Sequence, residues 1–228
     1  MNLAIIPARS GSKRIPNKNI KLFFGKPIIY YSINLALKSG IFDKVVVSTD
    51  SKKIKRIAEK YGAEVPFLRP KLLSNDFAST SSVIKHAINW FTKKNYKIKN
   101  VCCIYPVSPL LKKKHIIEGY KKIKTKKWNF VFSACRHSKP IHRSFVLNKK
   151  FGASMLMPKY FKFRSQELSD TFFDAGNFYW GKKKYWIRAN PFFFSKKNTI
   201  VSIPNSSAQD VDTLEDWKKL IIKYKNTC

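Results

Sequence analysis

Apolar, β-rich runs alternate with helix-patterned segments along nearly the whole chain, and that alternation most constrains the fold. Leu3–Ala8, Lys44–Thr49 (with Val45-Val46-Val47), Asn100–Tyr105, Phe130–Cys135, Ala175–Gly181 and Thr199–Ile203 read as strands, with a shorter one at Glu64–Phe67. Between them, Pro27–Lys38 carries Ile28, Ile29, Ile33, Leu35, Ala36 and Leu37 at helical spacing and stops at Gly40. Ser51–Tyr61 closes at Gly62, Ser79–Lys93 has a Ser/Thr cap and an apolar stripe, and Leu111–Lys124 and Thr213–Tyr224 complete the helices. Strands separated by helices cross over to lie parallel in one sheet with helices on both faces. The expected fold is therefore α/β, a Rossmann-like three-layer sandwich with a mostly parallel sheet. The rhythm changes between Ser144 and Met157, where Phe145-Val146-Leu147, a turn at Asn148–Gly152 and Ser154–Met157 predict a small β-hairpin. The 228 residues are read as a single domain spanning 1–228, with this flap inserted at about 140–170.

Charge is the loudest feature of the composition: a formal net charge of +33. Alone it suggests a polyanion partner such as nucleic acid. The excess is lysine, however, at 38 Lys against 8 Arg, scattered in short clusters (Lys112–Lys114, Lys121–Lys127, Lys182–Lys184) rather than drawn into one stripe with aromatics between. No helix-turn-helix, RRM or zinc pattern accompanies it, so a solvated basic surface is the preferred reading and no specific nucleic-acid partner is expected. Against that background the few arginines and the 13 acidic residues stand out. The four cysteines lack metal-site spacing, and Cys102 and Cys103 lie in an apolar run, as core residues do. No uninterrupted apolar run reaches membrane-spanning length, and Met1–Pro7 lacks the basic start of a signal peptide. A cytoplasmic protein without a membrane partner is expected.

The chemistry concentrates after the first strand, in Ala8-Arg9-Ser10-Gly11-Ser12-Lys13-Arg14-Ile15-Pro16-Asn17-Lys18-Asn19. Open α/β sheets bind ligands at the carboxyl ends of their strands. Gly11 and Ser12 allow backbone N–H groups to approach phosphate oxygens, and Arg9, Lys13 and Lys18 add positive charge. The segment is neither a P-loop nor a dinucleotide fingerprint, which argues against a P-loop kinase and a dehydrogenase. Near the other end, Asp210 and Asp212 stand at i and i+2. On extended backbone both carboxylates project to one side, where they can share a hard cation. The alternative is that Asp212 caps the last helix and Asp210 is surface charge.

These residues and others in order resemble the acylneuraminate cytidylyltransferase family. The resemblance begins in the Ala8–Asn19 loop. It continues through Val47-Ser48-Thr49-Asp50, Glu64–Pro70, Asp76 and the Ser79–Ser82 cluster. It resumes at Arg164-Ser165-Gln166, Asp174–Trp180 and Gln209–Thr213, thus spanning nearly the whole chain. Glu64–Pro70 (from Val65), Arg164–Gln166 and Asp174–Trp180 most resemble the branch that acts on pseudaminic acid, although Asn177 stands where that branch usually has Gln. Tyr105-Pro106-Val107-Ser108-Pro109 replaces the Gln-Pro-Thr-Ser-Pro of the sialic acid branch, which makes Tyr105 a candidate for the sugar.

The resemblance implies a nucleotidyltransferase that moves CMP from CTP to the anomeric hydroxyl of a nine-carbon acidic sugar, releasing pyrophosphate. Pseudaminic acid is the first choice and sialic or legionaminic acid the alternative. A basic nucleic-acid-binding protein is the reading from a different class. Mg²⁺ is the implied cation, with Asp210 and Asp212 as its ligands and as catalytic residues beside Lys18. Arg9, Ser12, Lys13, Lys18 and Asn19 are assigned to the nucleotide. Arg69 joins them, and Ser79 and Thr80 line its pocket or simply cap a helix. Tyr105, Arg164, Gln166, Asp174 and Tyr179 are assigned to the sugar; Phe178 and Trp180, alternating with the last two, are read as core. A homodimer contact through the flap is also implied.

Overall fold

A computed structural model describes residues 1–150, 152–188 and 197–227. Its centre is a six-stranded sheet built from β1 (Asn2–Pro7), β4 (Lys44–Ser48), β5 (Asn100–Ile104), β6 (Phe130–Arg136), β9 (Phe172–Lys182) and β10 (Asn198–Ser202). The spatial order is β10-β6-β9-β5-β1-β4. β1 pairs in parallel with β4 and β5, and β10 with β6; β9 alone runs antiparallel, between β5 and β6.

Its direction follows from connectivity. β6 delivers the chain to the carboxyl edge of the sheet, the flap residues begin there, and the chain re-enters as β9 with Asp174 opposite Ala134 and Gly181 opposite Phe130. The strand must then run down the sheet. The flap is the predicted hairpin: β7 (Phe145–Asn148) pairs antiparallel with β8 (Gly152–Met155) as a separate two-stranded sheet. Position 151, within the turn expected at Asn148–Gly152, lies outside the described residues, as does Cys228.

Alternation along each strand separates two packed layers. Ala4 and Ile6 of β1 share one apolar layer with Val45, Val47, Cys102, Ile104, Phe178 and Trp180. That layer is covered by α1 (Ile29–Ser39), α2 (Lys52–Lys60) and α4 (Lys113–Lys124). Leu3 and Ile5 face the other way, with Val46, Val101, Cys103 and Tyr179, under α3 (Thr80–Lys93) and the short α5 (Lys183–Trp186). Because both faces are buried, the strands read as continuous apolar runs. A third cluster joins Ile15, Phe23, Ile28 and Val211 to Trp217 and Leu220 of α6 (Leu214–Lys225), tying the basic loop to the C-terminal helix.

The helix ends obey local chemistry. Gly40 closes α1 in the left-handed conformation (φ 69°), and Ser51 caps α2 through Ile54 N–H at 3.3 Å. The segment at 64–67 is not a full strand. It contributes one isolated parallel bridge, Glu64 to Val46, and Leu68 just beyond it bridges Thr49; the register slips by one residue between the two, so no continuous ladder forms. Two minimal strands, β2 (Leu22–Phe23) and β3 (Lys26–Pro27), flank a turn the sequence patterns did not signal.

Gly181 in β9 lies where a side chain has no room: an added Cβ would come within 2.6 Å of Phe130 and strike the Trp186 indole. Gly181→Ala should therefore destabilise the protein by about 1–3 kcal/mol through overpacking. Urea denaturation followed by tryptophan fluorescence measures this, and an unchanged midpoint would contradict the packing described for β9.

Candidate active site

The carboxyl edge of the parallel strands opens into a cleft of about 380 Å³. Pro7 at the end of β1, Tyr105 just past β5, Gly176 in β9 and Gln209–Asp212 before α6 share its lining with the basic loop.

Two fixed contacts position that loop. Asp50, just past β4, accepts from Ser10 N–H at 2.9 Å and from the Ser10 hydroxyl at 2.7 Å. Asn19, buried at the loop's far end, donates its side-chain amide to the Arg9 carbonyl at 2.9 Å. Asn17 makes the return bend with φ 54°, a conformation asparagine tolerates. Asn19 thus uses one amide N–H to close the loop, which holds the Arg9 backbone in place.

The loop's cations are already paired. Arg9 Nη1 lies 2.6 Å from Asp76 Oδ1, and Lys13 Nζ 2.8 Å from Asp76 Oδ2. Arg14 Nη2 is 2.8 Å from Asp212 Oδ1, and Lys18 Nζ is 3.6 Å from the same oxygen. Lys18 also donates to the Val211 carbonyl at 2.5 Å. Val211 is buried while Asp210 and Asp212 line the cleft, as the i, i+2 argument required. Asp212 does not cap α6. Thr213 does, in a reciprocal box with Asp216 (Thr213 Oγ1 accepts from Asp216 N–H at 3.2 Å), which leaves both cleft carboxylates outside the capping contacts.

Arg69 is 5% exposed. Its guanidinium donates to the carbonyls of Ser48 and Leu73, while Nε has no partner among the described residues. Burial lowers its pKa to about 10, partly offset by Asp50, so it stays charged at neutral pH. These bonds make Arg69 part of the cleft wall. Ser79 and Thr80, adjacent in sequence, have separate roles. Ser79 caps α3 by accepting from Ser82 N–H at 3.2 Å, whereas Thr80 lines the cleft with its hydroxyl 3.0 Å from that of Tyr105.

Tyr105 is pushed up to about 12, chiefly by burial, and is therefore a neutral hydrogen-bonding group at ordinary pH. Its ring centroid lies 5.4 Å from that of Tyr179, whose hydroxyl donates to Asp174 Oδ2 at 2.6 Å. Burial also raises the Tyr179 pKa strongly. Thr80, Tyr105, Tyr179 and Asp174 form a continuous polar row leading away from the cleft. Tyr179 and Asp174 do not line it; Tyr179 is packed in the second apolar layer, and Phe178 and Trp180 are fully buried on the other side.

Of the sequence candidates, Arg9, Ser12, Lys13, Lys18, Asn19, Arg69, Thr80, Tyr105, Asp210 and Asp212 meet in one cleft. Arg164 and Gln166 lie apart, on the exposed 3-10 turn Ser165–Glu167, where Glu167 accepts from Arg164 N–H at 2.9 Å. Gln166 instead borders a second cavity, of about 420 Å³, with Arg136, His137 and Asp170. Sequence reasoning passed over Arg14 and Gln209, both cleft-lining, and the anchoring role of Asp50. Each sat inside a quoted motif, but a pairing across 40 residues leaves no local signature.

Five cations and two cleft carboxylates suit a polyphosphate accompanied by a hard cation. Among the described residues no cluster of three or more His, Cys, Asp or Glu forms a protein-only metal cage. Two carboxylates are nonetheless the donor set of a cation that completes its coordination with phosphate oxygens and water.

Comparison with known proteins agrees with this geometry. The family model described as Cytidylyltransferase matches residues 3–155. The pseudaminic acid cytidylyltransferase of Campylobacter jejuni is 44% identical over 224 residues, covering 98% of this chain and 96% of that protein. The N-acylneuraminate cytidylyltransferase of Escherichia coli O18:K1:H7 is 33% identical over 220 residues, 96% of this chain and 51% of the relative. Among solved structures, a CMP:2-keto-3-deoxy-manno-octonic acid synthetase complexed with CTP superposes with a TM-score of 0.73. It covers 100% of this chain and 99% of its own at 15% identity, a likeness of fold.

Proposed function

The chain belongs to the cytidylyltransferase family, and on that premise we propose that it transfers CMP from CTP to the anomeric hydroxyl of pseudaminic acid, with release of pyrophosphate. The observation that carries this reading is the cleft itself, where Arg9, Lys13 and Lys18 converge with Asp210 and Asp212 at the carboxyl edge of the sheet. The full-length likeness to the Campylobacter jejuni relative supports pseudaminic acid as the sugar, ahead of sialic or legionaminic acid.

The sugar hydroxyl oxygen forms a bond to the α-phosphorus as the bond from that phosphorus to the pyrophosphate oxygen breaks. Negative charge spreads over phosphoryl oxygens, so catalysis asks mainly for positioning and fixed positive charge. Lys18 is suited to the developing charge because the Val211 carbonyl anchors its ammonium group in the cleft. Arg9 and Lys13, with the Ser12 hydroxyl, take the remainder of the phosphate chain. Asn19 keeps Arg9 in place and Arg69 forms the wall against the nucleoside.

Asp210 and Asp212 fit Mg²⁺, which supplies positive charge to the phosphate oxygens when bound. One of these carboxylates also receives the proton of the attacking hydroxyl, directly or through water. Tyr105 presents a neutral hydroxyl, steadied by Thr80, to the sugar. Arg164, Gln166, Asp174 and Tyr179 remain our sugar-side assignments, the first two resting on the family resemblance alone, since their exposed turn lies outside the cleft lining, and the last two acting through Tyr105. The supply of CTP makes the cytoplasm the setting of this reaction.

The flap also supports a homodimer contact. Phe145, Leu147, Phe161 and Phe163 are all exposed there, with Leu147 81% accessible, more apolar surface than one hairpin needs. Light scattering should give a dimer mass, reduced to that of the monomer by Leu147→Asp; a monomeric parent protein would remove this assignment.

Pyrophosphate release with Mg²⁺ and CTP, offering pseudaminic, N-acetylneuraminic and legionaminic acids in parallel, tests the reaction. Preference for pseudaminic acid is expected, and Lys18→Ala should lower kcat by at least about 100-fold with the fold retained. Turnover with none of the three acids would overturn the proposed sugar class, and a near-normal kcat in the variant would overturn the role of Lys18.

A further inference from the structure

Asp76 lies in the segment between the 3-10 turn Lys71–Leu73 and α3, outside the residues that line the cleft, yet it holds two of the cleft's cations. Its carboxylate is divided evenly: Oδ1 pairs with Arg9 at 2.6 Å and Oδ2 with Lys13 at 2.8 Å. The neighbouring residue fixes this placement. Asn75 Oδ1 accepts from both Phe77 N–H (3.0 Å) and Ala78 N–H (2.8 Å), a tight turn with Asp76 inside it. Leu72 and Phe77 on either side are exposed, so apolar packing does little to hold the segment against the loop. Lys13 and then Arg9 draw the Asp76 pKa below the ordinary carboxylate value, so it is ionised throughout the neutral range.

Two cations held on one short loop repel each other unless an anion bridges them, and a carboxylate satisfies each with one oxygen. A triphosphate offers more charge and more oxygens to the same two groups, whereas an uncharged nucleoside offers nothing to them. We propose that Asp76 is the counter-anion of the triphosphate-binding cations: it keeps Arg9 and Lys13 in position and is displaced from them by phosphate oxygens when nucleotide binds. Asp76 thereby acts as a specificity residue, because only a ligand with a multiply charged tail can displace it. The inference rests on the cytidylyltransferase reading of the cleft.

Calorimetric titration with CTP and with cytidine tests it. Exposed ion pairs are individually weak, so freeing two cations should tighten CTP by about threefold to tenfold in Asp76→Asn while leaving cytidine unchanged. Asp76→Glu, which keeps the charge, should stay within about twofold of the parent protein. The gain should disappear when Asp76→Asn is made in an Arg9→Ala, Lys13→Ala background. Equal or weaker CTP binding by a folded Asp76→Asn protein would overturn the proposal. A gain that persists without Arg9 and Lys13 would also overturn it, since Asp76 would then act by repulsion at a distance and not by exchange. A parent protein that fails to bind CTP would instead overturn the nucleotide reading, and this inference with it.

Discussion

The crowding of like charge on one loop is the constraint from which the rest of the site follows. Arg9, Lys13, Arg14 and Lys18 occupy ten consecutive residues of a protein already carrying +33. Such a loop stays closed only if its backbone is pinned and its cations are answered. Asp50 pins the entry and Asn19 the exit; Asp76 and Asp212 answer the charge. The packing of Ile15 and Val211 against α6 then fixes the loop and the acidic segment relative to each other. The sheet's part is to deliver these pieces to one edge, since β1, β4 and β5 all end there.

Much of this was legible before the structure. The three layers came from strands apolar on both faces alternating with amphipathic helices, and β1, β4, β5, β6 and β10 fall where the apolar runs stand. The i, i+2 spacing of Asp210 and Asp212 placed both carboxylates on one side of buried Val211. Strand direction was not legible for β9, because Ala175–Gly181 has the same apolar pattern whichever way it runs. What decides its direction is the edge at which the flap returns the chain. The 64–67 segment is not a full strand for a related reason: β-propensity is a property of the segment, whereas a ladder needs it to keep register with its partner, and the register with β4 slips between Glu64 and Leu68.

Within the site, the loop and the acidic pair were legible because their residues are neighbours in sequence. Asp50 and Asp76 act on the loop from 40 and more residues away, and nothing in their own surroundings reports it. Ser79 and Thr80 show the limit at finer grain, since two adjacent hydroxyl residues at a helix start take different roles by facing different directions. Arg164 and Gln166 sit on an exposed turn away from the cleft, so family resemblance and not local geometry is what joins them to the sugar. The lysines outside the cleft enter none of these arguments. Charge matters here where it is paired, close and anchored, as it is around Asp76 and Asp212.

The measurement that bears most directly on the central claim is a crystal structure of the protein with CTP and Mg²⁺. The account predicts phosphate oxygens within about 3 Å of Lys18 Nζ and of the Arg9 guanidinium, with the cation between Asp210, Asp212 and the phosphates. A triphosphate seated elsewhere, with the Arg9, Lys13 and Lys18 pairs to Asp76 and Asp212 intact, would contradict it.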